Sequence, residues 1–148
     1  MPRMKLKSAY KKLGKKSSKE IVDLVYTIME DTVPMLEGHD QEMIDSLAEY
    51  IFMIAGVDEK VHMNEYCLIK PLMSAAVGKD CSYAEAEKFI SENGLDEDET
   101  RDRFRDVLNE LSITDPELRY NMITLAMYIS AIDDDVSQKE KEFIESLL

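Results

Sequence analysis

Apolar residues recur along this chain with the period of an α-helix, and no segment shows the alternation of a strand. Ile21, Leu24, Val25, Ile28 and Met29 fall at i, i+3, i+4, i+7 and i+8 behind Ser17 and Glu20. In such a capping box the Ser hydroxyl accepts from the backbone N–H three residues on, and the Glu carboxylate reaches back to the N–H of the cap. A helix over about 18–32 is predicted, ended by Val33-Pro34. A second, capped by Asp40, covers about 41–57 and buries Ile44, Leu47, Ala48, Ile51, Ile54 and Ala55. A third, about 63–77, turns Cys67, Leu68, Leu72 and Ala75 inward, and Pro71 inside it predicts a kink or an early break. Gly78 closes that helix; Ser82 and Glu85 open a short one to about Glu92, stopped by Asn93-Gly94. The run Asp96 to Glu99 heads a fifth, about 97–112, with Phe104, Val107, Leu108 and Leu111 as its stripe and its charges on a solvated face. Asp115-Pro116 supplies a cap and a first helical residue for a sixth, about 116–131. Apolar around most of its circumference from Met122 to Ile132, that helix is expected to be central and buried. The fold class is all-α: a single-domain bundle of about seven helices over residues 18–148.

Two acidic turns punctuate the pattern. Asp133-Asp134-Asp135-Val136-Ser137-Gln138-Lys139-Glu140 repeats Asp58-Glu59-Lys60-Val61-His62-Met63-Asn64-Glu65 at a spacing of 75 residues, with Ile54 over Ile129 and Ile69 over Ile144. Each copy reads as helix, acidic turn, helix. In the second, Ser137 and Glu140 form a capping box, so the last helix starts at about Gln138. One acid ahead of a helix start suits the macrodipole, but three adjacent carboxylates repel one another, and a divalent cation would relieve the crowding. Asp133, Asp134, Asp135 and Glu140 are the candidate oxygen ligands there, as Asp58, Glu59 and Glu65 are in the first turn. Calcium, magnesium or manganese fits such a hard donor set. Glu140 serves the cap equally well. Lys60 stands where the second copy has Asp135, so the first turn should be the weaker site or vacant.

The pattern Asp, turn residue, any residue, Val, Ser, two residues, Glu, following an Ala-containing apolar helix, resembles the TerB-like family named for bacterial tellurite-resistance proteins. The resemblance covers most of residues 40–148; it is good at Asp133, Val136, Ser137 and Glu140, and partial at Asp58, Val61 and Glu65. Glu59 and Asp134 stand where the family usually carries Gly. The resemblance implies a compact all-α domain of two pseudo-symmetric helix-turn-helix units. It further implies divalent metal at the acidic turns, a protein partner, and a membrane-associated stress response such as tellurite resistance. A regulatory or interaction domain with no bound metal is the alternative.

Charge alters the picture at the N-terminus. The chain of 148 residues has a net charge of −13, yet residues 1–19 hold eight bases (Arg3, Lys5, Lys7, Lys11, Lys12, Lys15, Lys16 and Lys19) and no acid, leaving −21 on the rest. Residues 1–17 are read as a mobile basic arm outside the bundle. It is a solubilising tail, a tether of residues 1–16 to an anionic membrane, or an arm folded onto its own acidic body. The acidic body is expected to repel nucleic acid and the basic segment to attract it, and no nucleic-acid partner is expected for the chain as a whole. No apolar run approaches the roughly 18 residues of a membrane span, and no signal peptide is read at the start. Two cysteines, Cys67 and Cys81, suit buried thiols in a reducing cytoplasm, with the inner face of the membrane as the peripheral location. Neither a phosphate loop, a nucleophile elbow nor a helical zinc motif occurs, so no enzymatic activity is expected. An EF-hand starting at Asp133 fails, because Ile144 occupies the place of its bidentate Glu.

Overall fold

A computed structural model describes residues 3–55, 63–132 and 138–148 of the chain. Among them are eight helices and no strand: α1 (Arg3–Leu13), α2 (Ser18–Met35), α3 (Gln41–Ile54), α4 (Met63–Val77), α5 (Tyr83–Asn93), α6 (Glu97–Thr114), α7 (Pro116–Ile132) and α8 (Gln138–Leu147). Local chemistry sets the ends of many of them. Capping boxes open α2 at Ser17, α5 at Ser82 and α6 at Asp96. Asp40 caps α3 by accepting from Met43 N–H at 2.9 Å, and Asp115 caps α7 by accepting from Leu118 N–H at 3.2 Å. Gly94, at φ 63°, and Gly78, at φ 87°, supply the left-handed residues that end α5 and α4.

The core is built around α7, which packs against α1, α2, α3, α6 and α8. Leu118, Met122, Ile123, Leu125, Ala126 and Met127 are fully buried there, as the apolar circumference predicts. Helix α3 is enclosed almost as completely, between α4, α6 and α7. Its buried residues run from Met43 to Ile54 and include the polar Ser46 and Glu49. Helix α5 packs mainly on α4, where Tyr66 donates its hydroxyl hydrogen bond to the Cys81 carbonyl at 2.7 Å.

Four expectations are corrected. The basic segment is not outside the bundle but, as one of its three expected roles has it, folded onto the body: it forms α1, and Leu6 and Leu13 are buried. Leu6, Ala9, Tyr10 and Leu13 fall at i, i+3, i+4 and i+7, a stripe of two turns too short to stand out among the bases. Helix α2 runs past its expected end at about residue 32, since Pro34 lies within the helix. There the backbone closes by Leu36 N–H to the Val33 carbonyl at 3.1 Å, a tightened last turn. Of the two outcomes expected at Pro71, the early break does not occur, and α4 runs through it to Val77. Pro71 and Cys67, whose carbonyl loses its partner, are both on the exposed side, where water can satisfy the freed group. Cys67 is therefore not inward; the core side of α4 is Tyr66, Leu68, Ile69, Leu72, Met73 and Ala76.

Candidate functional site

The acids Asp133, Asp134 and Asp135 of the second turn, with Ser137, lie outside the described residues, as do Asp58 and Glu59 of the first. Their flanks are described. Helices α3 and α4, which pack on one another, bracket the first turn, and α7 and α8 bracket the second. Glu65 falls in the first turn of α4. Glu140 falls in the first turn of α8 as described from Gln138, and the cap expected at Ser137 lies outside the described residues.

Glu140 points into the protein rather than out of it, with 6% of its surface exposed. Its Oε2 accepts from Nη1 of Arg101 on α6, itself only 5% exposed. Its Oε1 faces the Tyr50 hydroxyl of α3 at 3.5 Å. Burial pushes the Glu140 carboxyl above the ordinary carboxylate range, and the Arg101 guanidinium opposes the rise. Burial, then the neighbouring carboxylate, pushes the Tyr50 hydroxyl well up, so it remains a donor. From Arg101 the chain of charge runs outward: Nη2 bonds Asp98, whose Oδ1 also takes Lys139 Nζ at 2.9 Å. Lys139 first, then Arg101, holds the exposed Asp98 carboxyl below its usual range. Beneath the ion pair Tyr50 stacks on Phe104, centroids 4.1 Å apart and planes at 21°, with Phe143 of α8 tilted against both. The Arg105 guanidinium covers the outer face of Phe143 at 5.0 Å. The start of α8 is thus fastened to α3 and α6 by one buried pair and three rings.

Sequence reasoning placed the charges of α6 on a solvated face and so missed Arg101. The signal was its register: Arg101, Phe104, Leu108 and Leu111 follow at i, i+3, i+7 and i+10, on the core side. Glu49 was missed too. It is 4% exposed on α3, where Asn93 donates to its Oε1, and burial raises its carboxyl while Arg103 offsets part of the effect.

Elsewhere, His39 Nε2 lies 2.9 Å from Oδ2 of Asp115 and clamps the loop before α3 to the α6–α7 junction. A groove of about 520 Å³ between α2 and α7 is lined by Asp31, Met35, Pro116, Glu117, Tyr120 and Asn121. Another, of about 230 Å³ between α3 and α6, sets Asp40, Glu42, Asp106 and Glu110 around Arg103. No group of three or more His, Cys, Asp or Glu side chains among the described residues is arranged to hold a metal ion. Nor is any helix there long and apolar enough to cross a membrane. Compared with protein-family models, with curated proteins and with solved structures, the chain matches none of them.

Proposed function

We propose that the chain is a non-enzymatic helical module of TerB-like type that takes up a divalent cation at its second acidic turn and offers its acidic surface to a protein partner. The observation that carries this reading is the pairing of Glu140 with Arg101 and Tyr50 at the start of α8. It supports a firmly held helix start directly after Asp133, Asp134 and Asp135 in the sequence, three adjacent carboxylates that repel one another. The ligand set is then Asp133, Asp134 and Asp135 with backbone carbonyls and water, oxygen donors suited to calcium, magnesium or manganese. Glu140 is a positioning residue for α8 in this reading. The first turn, with Asp58, Glu59, Glu65 and the cation of Lys60, is the weaker site.

The same observation favours a second reading in which α8 is held by protein contacts alone, the repeat is architectural, and the module binds its partner without metal. Thermal unfolding of metal-stripped protein with added calcium, magnesium or manganese separates the two. A ligand that binds only the folded state stabilises it by about 2.7 kcal/mol at a hundredfold excess over its dissociation constant. The melting temperature should rise for the native sequence and for Asp58→Asn, and fail to rise when Asp133→Asn and Asp135→Asn are combined. A native protein that does not respond to any of the three ions overturns cation uptake and leaves the architectural reading.

A further inference from the structure

The six described lysines from Lys7 to Lys19 share a feature that the burial of Leu6 and Leu13 creates. With the leucine stripe of α1 turned onto α7, Lys7, Lys11, Lys12, Lys15, Lys16 and Lys19 are all exposed. None of the six forms an ion pair among the described residues, although the chain carries 31 acidic residues. Lys7 and Lys11, at i and i+4, repel one another. Lys11 and Lys12 do suit the negative end of the helix dipole, but that accounts for the last turn alone. Lys16 helps to lower the Glu20 carboxyl, but Lys7, Lys15 and Lys19 stand as positive charge without an ion pair among the described residues, on a molecule whose residues beyond 19 carry −21.

We propose that this lysine face is a docking surface for an anionic lipid bilayer, engaged with α1 still folded on α7. A flat negative surface neutralises several lysines on one side at once, and its repulsion of the acidic remainder turns the molecule so that α1 faces it. The leucines are committed to the core, so attachment is electrostatic and inserts no apolar side chain. Nucleic acid fits the face less well. From residue 6 to residue 19 the exposed side chains include no Arg, Asn or Gln to read base edges and no exposed aromatic ring to stack a base. Lysine, a compact point charge, suits a diffuse array of headgroups without demanding bidentate geometry.

The test is co-sedimentation of the full chain with phosphatidylcholine vesicles, with and without phosphatidylserine, in chelator, so that cation uptake plays no part. Binding is expected on the anionic vesicles only, and should weaken as the Debye length falls from about 30 Å at 0.01 M salt to about 8 Å at 0.15 M. Lys7→Glu, Lys11→Glu and Lys15→Glu together should reduce it at least tenfold, on the order of one power of ten or more for three reversed charges. The corresponding Lys→Arg variant should bind as the native chain does. Helical circular dichroism checks that both variants fold, and should not increase when the native protein binds, because α1 is already a helix. Equal binding by the charge-reversed variant, or equal binding to neutral vesicles, overturns the proposal. A gain of helix on binding overturns the docked helix, and tighter binding to duplex DNA than to vesicles in the same buffer reassigns the face to nucleic acid.

Discussion

Arg101 and Glu140 hold their charges where water barely reaches, and Arg101 is the cation that faces the buried Glu140 carboxylate while also bonding the exposed Asp98. Removing one partner of a buried pair leaves an uncompensated charge, at a cost of about 3–5 kcal/mol, whereas replacing both by apolar side chains is often neutral or stabilising. Arg101→Ala should therefore shift the denaturant midpoint strongly downward, and Arg101→Met combined with Glu140→Leu should recover most of the loss. The same pair of measurements distinguishes a true buried pair from a surface contact, for which Arg101→Ala would cost about 1 kcal/mol or less. Glu140 is legible in the sequence as half of a capping box. Its partner is not, because the contact spans 39 residues and only the packing of α6 on α3 and of α8 on α7 closes it.

Helices α7 and α1 bracket the range of what periodicity reveals at the level of an element. Eleven residues of nearly unbroken apolar character, Met122 to Ile132, identify α7 as the buried helix before any contact is known. In α1 two leucines and a tyrosine lie among bases, and only the surface of α7 selects the helical state. Burial raises the Tyr10 hydroxyl, and Ser130 of α7 opposes the rise. Leu125→Ala should leave a cavity costing about 2–5 kcal/mol, and Leu13→Ala, nearer the edge, about 2 kcal/mol. Equilibrium denaturation of the two variants checks both figures. An unchanged midpoint for Leu13→Ala would detach α1 from the fold and restore the picture of a loose arm.

Across the whole molecule, charge and burial set how stability varies with pH. Burial raises the carboxyls of Asp45 and Glu49, with Arg103 opposing. Their folded forms bind the proton more tightly than the unfolded chain does, so their contribution to stability grows as pH falls through the raised values toward about 4. Self-repulsion of the net −13 is relieved over the same interval. The opposite sign applies to Glu85, which its bonds to Lys79 and Ser82 hold down to about 2; its contribution is lost as pH falls below the unfolded value of about 4. Maximum stability is expected on the acid side of neutrality, toward the lower end of the usual range of about pH 5 to 8. Glu49→Gln, which keeps an acceptor for Asn93, should raise the melting temperature at pH 7 and flatten the acid-side increase. A melting temperature that declines steadily from pH 7 to pH 5 would show that the buried carboxylates are better compensated than their geometry indicates.

The sequence by itself determined the all-α class, the caps at Ser17, Asp40, Ser82 and Asp115, and the central place of α7, because these rest on interactions between residues three or four apart. Tertiary structure alone decided which charges are buried and which segments join the bundle. Arg101 and Glu49 carry the same side chains as the solvated residues beside them and differ only in what α3, α6 and α8 place against them. Pro34 and Pro71 carry strong local signals to stop a helix, yet packing holds both helices through them. Local rules fix where a turn of helix can start; the surface it lands on decides whether it persists and which of its faces is left to water.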